Sequence, residues 1–440
     1  MRPLITRALR RTLHTSPAAG SRAPKTPPPP ASADTNTYTT PTSTPTPANR
    51  SFPALFVRGG TSNGLIIQRQ HLPPQTQWPS ILAPAMGSPD PYGRQLNGIG
   101  GGVSSTSKIC VISPSSRADA DIDFTFVQVV IQSGALDLAG NCGNMSAAVG
   151  PVAWDLGLVK PPLTDTVAEQ EREGKGKGER EREALVRIFN TNTSKLIHST
   201  FPLTPSSPSS PSSPPKYQPH GTYAIAGVPG TQSLIKLSFL DPAGAKTGAA
   251  LPTGNAIDTL TLSDGSQVEA SLVDISNPGV FIRVRDLGSE FRDADPTTLT
   301  PQVVEADAAL KGRLEAIRRA GAVAMGLDPT TESVPKIVLL FPSPESADTD
   351  VDLRCLALSM GQAHKAVPLT LALCLGAAAN IPGTLPAQVR GAKGGDEGRP
   401  VVIGHPSGTV EIGATFKDGR IVSADLLRTA RVLMKGDVYY

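Results

Sequence analysis

Residues 140–150 constrain the fold more than any other part of the chain. The first five, Gly-Asn-Cys-Gly-Asn, form a glycine-rich turn, and the small residues after Met145 predict a tightly packed helix. The first N–H groups of a helix have no intrahelical partners, so here they would face whatever lies beside Cys142. Their positive field also favours a thiolate. The pattern is typical of an anion site with a reactive thiol, although a buried structural cysteine fits it equally well.

Other glycine-rich or polar motifs accompany this turn in a fixed order along the chain. They occupy residues 58–64, 86–95, 98–108, 239–245, 251–255, 359–365 and 405–408. From about Pro53 to the C-terminus the chain resembles the PrpF family of methylaconitate isomerases and related tautomerases. The resemblance implies an α+β, diaminopimelate-epimerase-like fold. It has two pseudo-symmetric halves, each a β-sheet wrapped around a central helix, with the active site in the cleft between them.

Composition indicates an ordinary globular enzyme. The chain has 440 residues, 39% of them hydrophobic, and a formal net charge of +3. That length suffices for two cores, and the balance of charges gives no reason to expect a nucleic-acid partner. No run approaches the roughly 20 apolar residues of a membrane span. The four cysteines show neither disulfide nor metal spacing, so we expect a reduced compartment and no metal site.

The N-terminus has the composition of a mitochondrial transit peptide. Residues 1–33 contain five arginines and one lysine besides scattered leucines, and no acidic residue. We therefore expect a location in the mitochondrial matrix. A basic disordered tail on a cytoplasmic protein is the alternative.

The domain organisation follows from this leader and from two low-complexity segments. We expect a transit peptide and disordered leader over residues 1–51 and an epimerase-like half over 52–220. Inserted surface loops near 164–183 and 203–216 would interrupt that half. A second half would cover 221–440, with the final strands free to return to the first.

Hydrophobic patterns predict many strands and few helices. The predicted strands are 52–57, 64–68, 108–113, 122–131, 184–189, 234–239, 268–275, 280–284, 337–341, 401–403 and 409–416. Helices are predicted at 78–85, 146–156, 301–325 and 366–379, the third with Thr300 as its N-cap.

Lys108 is the candidate base. It follows four small hydroxyl residues, and partial desolvation there would favour a neutral amine. A solvated charge at a strand edge is the alternative. The resemblance implies that Lys108 and Cys142 occupy the positions of the family's catalytic lysine and cysteine. They would move a proton along the allylic system of an unsaturated carboxylate, with electrostatic stabilisation of the dienolate and no cofactor.

The predicted substrate-binding residues carry hydroxyl, amide or guanidinium groups, or form tight turns. They are Arg58, Thr61, Ser62, Arg94, Ser104, Ser105, Thr106, Asn141, Gly143, Asn144, Asn277, Ser407 and Gly408. Arg94 would form a bidentate pair with a carboxylate. Residues 405–408 would form a partner turn facing 141–144. His364 has two interpretations, a residue of the cleft wall or a helix cap, and the helix cap is preferred.

Two positions depart from the family pattern. Asn63 stands where the family commonly has lysine, which removes a cation from the first loop. The epimerase relatives use two facing cysteines, whereas the predicted second turn has Ser407. Serine in place of the second cysteine favours a lysine–cysteine proton shuttle. Such a shuttle fits double-bond migration better than stereoinversion of an amino acid.

The leading functional hypothesis is isomerisation of a methylaconitate-type tricarboxylate in propionate metabolism. Tautomerisation or isomerisation of 4-oxalomesaconate, aconitate or methylitaconate is the nearest alternative. A non-catalytic, acid-binding accessory protein of a dehydratase is the third. The expected partner is a small unsaturated di- or tricarboxylate, without nucleic acid or membrane, and a homodimer is expected only on general grounds.

Overall fold

Strands dominate the chain in this computed structural model, which describes residues 50–159, 182–204, 214–341, 351–390 and 399–440. The first nine strands are β1 (Ser51–Gly59), β2 (Ser62–Gln68), β3 (Lys108–Pro114), β4 (Ile122–Val129), β5 (Leu136–Asp137), β6 (Glu183–Asn190), β7 (Lys195–Pro202), β8 (Ile235–Leu240) and β9 (Asp258–Thr261). The others are β10 (Gln267–Ile275), β11 (Asn277–Arg283), β12 (Lys336–Phe341), β13 (Leu353–Ser359), β14 (Gln362–Ala363), β15 (Val401–His405), β16 (Gly408–Lys417), β17 (Arg420–Arg428) and β18 (Ala430–Tyr439). The α-helices are α1 (Pro79–Met86), α2 (Gly143–Asp155), α3 (Pro301–Ala306), α4 (Ala308–Ala324), α5 (Leu369–Ala378) and α6 (Leu385–Arg390).

The same order of pairing occurs twice along the chain. β1 and β2 pair antiparallel, β2 and β3 parallel, and β3 and β4 antiparallel. β10, β11, β12 and β13 repeat this antiparallel, parallel, antiparallel series. The C-terminal strands return to the early ones, because β17 pairs with β8 and β18 with β1.

Two helices lie in the core against these strands. α2 packs on β1, β2 and β6, and α5 packs on β10, β11 and β16. Both are rich in small residues because strands cross them closely: a Cβ on Gly150 would lie 2.6 Å from Ser199 Oγ, and one on Gly376 would lie 2.7 Å from Ile412 Cβ. Small size at these positions therefore lets the sheets wrap the helices.

The predicted strands and helices are present with ends shifted by a few residues. One prediction is wrong in detail, because the segment expected to be a single helix over 301–325 is divided into α3 and α4 at Asp307. Asp307 adopts an extended conformation and its side chain accepts a hydrogen bond from Leu310 N, so it is a second N-cap. Thr300 caps α3 as predicted.

The described residues confirm a sheet-rich α+β fold. The described residues fall within one compact unit. The predicted leader, apart from its last two residues, and most of the two predicted loop segments lie outside the described residues. Within the described ranges, no helix has the length and apolar character needed to cross a bilayer.

Candidate active site

The N-termini of the two core helices meet. α2 starts after Cys142 and α5 after Pro368, and neither helix has a side-chain cap. A Cβ on Gly143 would lie 3.3 Å from both Leu369 Cβ and Thr370 Cγ2. Two sets of N–H groups without intrahelical partners, each at the positive end of a helix dipole, thus converge at one place.

A cleft opens at this meeting point, with an empty volume of about 580 Å³ including its mouth. Its walls are Thr61, Ser62, Ser104, Ser105, Lys108, Phe126, Gln128, Gly140, Asn141, Cys142, Gly143, Asn144, Ser333, Lys336, Ser359, Met360, His364, Ala366, Pro368, Leu369 and Thr370. Two lysines are among these residues, and neither Asp nor Glu is. The cleft is therefore suited to an anion.

Lys108 is the first residue of β3, and its ammonium lies inside the cleft wall. Lys108 is only 9% exposed, and its Nζ donates a 2.6 Å hydrogen bond to Gln128 Oε1. Gln128 is itself fixed, because its Nε2 donates to the carbonyls of Ser104 and Ser107 at 3.2 and 2.9 Å. On the neighbouring strand, a Cβ at Gly64 would lie 2.3 Å from the Lys108 carbonyl oxygen, so a glycine is required there. The base predicted from the sequence is thus held in a defined orientation.

A second lysine, Lys336, lines the same cleft and was missed by the sequence analysis. It is the first residue of β12 and is 7% exposed, and its Nζ donates to Ser333 O at 2.8 Å. Burial, followed by the positive charge of Lys108, lowers the pKa of Lys336 to about 8. The sequence did contain a signal: Ser-Val-Pro-Lys precedes an apolar strand, as Ser-Thr-Ser-Lys does at Lys108.

Cys142 lines the cleft at the start of α2. It is half-buried, and its carbonyl oxygen accepts bonds from Ser146 N at 2.9 Å and Ser146 Oγ at 3.0 Å. The other three cysteines, Cys110, Cys355 and Cys374, are buried. Burial raises the pKa of each of these thiols, that of Cys355 to about 12. Of the cysteines, Cys142 is the one placed for chemistry.

The first predicted loop contacts the α2 turn through a pair of hydrogen bonds. Asn144 Nδ2 donates to Thr61 Oγ1 at 3.1 Å, and Thr61 N donates to Asn144 Oδ1 at 3.3 Å. A Cβ on Gly60, whose φ is +51°, would lie 2.0 Å from Asn144 Oδ1. This contact brings Thr61 and Ser62 to the cleft, together with Asn141, Gly143 and Asn144. Ser104 and Ser105 reach it from the segment before β3.

Both predicted arginines lie outside the residues that line the cleft. Arg58 Nη1 donates to the carbonyls of Gly60 and Thr429 at 2.8 and 3.1 Å. Arg94 is exposed, and its backbone N–H donates to Asp90. Thr106 also lies outside, with its hydroxyl bonded to Val103 O at 3.2 Å. The lysines therefore supply the side-chain cations of the described cleft.

The turn over residues 405–408 lies outside the residues that line the cleft. It is a hairpin between β15 and β16, in which His405 pairs with Gly408. Ser407 Oγ donates to Lys365 O at 2.8 Å, and neither Ser407 nor Gly408 lines the cleft. The start of α5 adjoins the α2 turn instead, because a Cβ on Gly143 would lie 3.3 Å from Leu369 Cβ.

Asn277 lies behind the cleft wall. It is fully buried, and neither polar atom of its side chain has a hydrogen-bond partner. Its Oδ1 would lie 3.5 Å from a Cβ built on Gly140, which lines the cleft. Asn277 therefore adjoins the site without forming its wall.

His364 lines the cleft, so the less favoured of its two interpretations holds and the helix cap does not. It follows β14, and its Nε2 lies 3.3 Å from Ser104 Oγ. Burial, and then the charges of Lys108 and Lys336, lower its pKa to about 4. The imidazole is consequently neutral at pH 7. Across the described ranges, no group of three or more His, Cys, Asp or Glu residues is arranged to hold a metal ion.

Comparisons with known proteins agree on one family. A family model described as PrpF protein matches residues 49–440. The 3-methylitaconate isomerase of Eubacterium barkeri is 35% identical over 406 residues, covering 88% of this chain and 96% of that protein. The 2-methyl-aconitate isomerase of Cupriavidus necator is 35% identical over 413 residues, covering 87% and 96%.

A solved structure gives the same result. A crystal structure of methylitaconate-delta-isomerase is 34% identical, with a TM-score of 0.65, and the match covers 89% of this chain and 96% of that one. The family match spans both strand series and both core helices, and the named relatives are isomerases. The chain therefore belongs to the PrpF family.

Proposed function

We propose that this protein is a cofactor-independent isomerase that moves a double bond in an unsaturated di- or tricarboxylate. The observation that carries the proposal is one cleft that contains Lys108, Cys142 and two helix N-termini, with no Asp or Glu among the described residues of its wall. Such a cleft binds carboxylates and stabilises the negative charge that develops when a C–H proton is removed.

Lys108 is the proposed base. Its Nζ takes the proton from the carbon next to the double bond, and the electron pair delocalises into a dienolate over the conjugated carboxylate. Cys142 returns a proton at the far end of the allylic system, which moves the double bond. Transfer of the proton from the lysine to the thiolate restores both groups. Gln128 keeps the lysine in place because its Oε1 accepts from Nζ at 2.6 Å.

The proposed substrate is a tricarboxylate of the methylaconitate type. Its support is the pair of relatives named for methylaconitate and methylitaconate, together with the positive cleft. Oxalomesaconate, aconitate and methylitaconate remain the alternative substrates, since each has the same conjugated carboxylate. A non-catalytic role as an acid-binding accessory protein is less well supported, because the relatives named above are isomerases.

We also propose two pseudo-equivalent halves for the fold, with the cleft between them. The support is the repeated strand series and the meeting of α2 with α5. The first half would extend beyond the boundary expected after residue 220, because β8 pairs with β7. β17 and β18 would return to it.

The mitochondrial location is proposed from the composition of residues 1–33 alone. Those residues precede the family match, which begins at residue 49, and the named relatives belong to bacteria. Expression of residues 1–51 fused to a fluorescent protein tests the proposal. Accumulation in mitochondria is expected, and a diffuse signal would favour the cytoplasm.

Proton NMR with a panel of acids tests the proposed activity. The panel contains 2-methylaconitate, methylitaconate, 4-oxalomesaconate, and cis- and trans-aconitate. We expect the wild type to move the double bond of at least one acid and Lys108→Ala to move none. Lys365→Ala is the matched control, because Lys365 is exposed and lies outside the cleft wall. An inactive wild type that still binds the acids would support the accessory role.

A further inference from the structure

One part of the cleft wall has polar groups that the proton transfer does not use. It consists of Ser333, Lys336 and the first turn of α5, all contributed from the C-terminal side of the sequence. Ser333 Oγ is buried, with the residue 6% exposed, and has no hydrogen-bond partner among the described residues. A buried hydroxyl without a partner is unfavourable, and in the wall of a cleft a bound ligand can supply the missing partner.

The groups in this part of the wall can all donate hydrogen bonds. Lys336 Nζ has three N–H bonds when charged and gives one to Ser333 O, which leaves two for a ligand. Ser333 adds an O–H. α5 is a ten-residue helix whose first-turn N–H groups have no side-chain cap. Donors of these three kinds, with no acidic side chain in the cleft wall, match the two oxygens of one carboxylate.

The strand pairing gives an independent reason to expect two such places. Lys108 is the first residue of β3 and lies opposite Gly64 of the parallel strand β2. Lys336 is the first residue of β12 and lies opposite Gly279 of the parallel strand β11. Each lysine is thus presented in the same way, at a strand start beside a glycine, and each strand series has its own core helix with its N-terminus at the cleft.

We propose that Ser333, Lys336 and the N-terminus of α5 form a second carboxylate subsite, which makes the protein selective for substrates with at least two carboxylates. The inference rests on the proposed function and deepens it. The first carboxylate, conjugated to the reacting carbons, lies by Lys108 and Cys142, and the second is held by the Lys336 subsite. A monocarboxylate occupies only the site by Lys108 and Cys142, so the charge of Lys336 has no carboxylate partner.

The test is a comparison of three related acids against two variants. Isothermal titration calorimetry at pH 7 measures the Kd of crotonate, mesaconate and trans-aconitate, which have one, two and three carboxylates. The variants are Lys336→Met, which keeps the length of the side chain without its charge, and Ser333→Ala. Lys365→Met is the control for loss of a lysine outside the cleft. Circular dichroism establishes that each variant is folded.

For the wild type we expect mesaconate and trans-aconitate to bind at least 100-fold more tightly than crotonate. Lys336→Met should reduce that preference to less than tenfold, mainly by weakening the di- and tricarboxylates. Ser333→Ala should reduce it about threefold to tenfold, and Lys365→Met should preserve it. An equal loss for all three acids, or an unchanged preference in Lys336→Met, would overturn the subsite. If Lys336→Met does not fold, Ser333→Ala decides. An unchanged preference for mesaconate and trans-aconitate over crotonate in that variant would then overturn the subsite.

Failure of the subsite is separable from failure of the proposed function. Deuterium exchange into the acids, measured in the same samples, reports proton transfer and does not depend on the preference between acids. Exchange without a dicarboxylate preference would reject the subsite and keep the isomerase. A dicarboxylate preference lost in Lys336→Met, without exchange in the wild type, would keep the subsite and reject the isomerase.

Discussion

Replacement of Lys336 by methionine should make the stability of the unliganded protein less dependent on pH. Burial and the charge of Lys108 lower the pKa of Lys336 from 10.5 to about 8, so folding disfavours its charged form. Asp137, Cys142 and Cys374 act in the opposite direction and raise the pKa of Lys336. A lysine with a lowered pKa in the folded state reduces stability at low pH, and this cost disappears as the pH rises from 8 to 10.5.

The magnitude follows from the two pKa values. Each pKa unit corresponds to 1.36 kcal/mol, so charged Lys336 reduces the free energy of unfolding by about 3 kcal/mol at pH 7. The same linkage leaves a cost of roughly 1 kcal/mol at pH 10, a difference of about 2.5 kcal/mol. Methionine also loses the hydrogen bond to Ser333 O. That loss is the same at both pH values and cancels from the comparison.

Urea unfolding of the wild type and of Lys336→Met at pH 7 and pH 10 gives the required quantities. The stability of the variant relative to the wild type should be greater at pH 7 than at pH 10 by about 2.5 kcal/mol. Lys365→Met, which removes an exposed lysine, should show no such difference. A variant whose relative stability is the same at both pH values would refute the reasoning that Lys336 is held in an unfavourable charged state.

Other parts of the structure give further tests. Gln128→Met removes the acceptor of Lys108 and should lower kcat by about 10- to 100-fold with a smaller change in KM, as steady-state kinetics would show; an unchanged kcat would mean that Gln128 does not position the base. Thr300→Ala should cost about 1 kcal/mol of stability in urea unfolding, because the hydroxyl accepts from Val303 N, and no loss would contradict the cap. Brief iodoacetamide treatment of the folded protein should label Cys142 and spare the three buried thiols, with trans-aconitate slowing the reaction; mass spectrometry that finds another cysteine modified first would contradict the assigned burial.

Local patterns in the sequence predicted much of the fold and the first half of the site. These patterns are visible within a short stretch of sequence: the small residues and glycine-rich start of α2, and the alternation of the strands. The hydroxyl-rich segment directly precedes Lys108 and the start of β3. The sequence therefore also predicted that this segment contributes to the cleft. The division at Asp307 was missed because the apolar pattern continues across it, and a capping side chain decided the outcome.

The second half of the site depends on contacts between distant segments. The Ser-Val-Pro-Lys pattern is a local signal for Lys336, but the position of Lys336 in the cleft depends on the pairing of β12 with β11. The turn over residues 405–408 has the composition of an anion-binding turn, but β15 and β16 pair directly on either side of it and make it a hairpin. Arg58 and Arg94 have suitable chemistry for a carboxylate. In the structure, however, Arg58 donates to backbone carbonyls and Arg94 is exposed at the surface.

Loss of substrate C–H protons to solvent, followed by proton NMR in deuterated water, tests the central claim most directly. The wild type, Lys108→Ala, Cys142→Ser and Lys365→Ala are compared with the acid that the wild type isomerises fastest. The account predicts that Lys108→Ala abolishes both exchange and double-bond migration. It also predicts that Cys142→Ser retains exchange at the base while migration slows strongly, and that Lys365→Ala matches the wild type. Exchange and migration at wild-type rates in Lys108→Ala would contradict the assignment of Lys108 as the base.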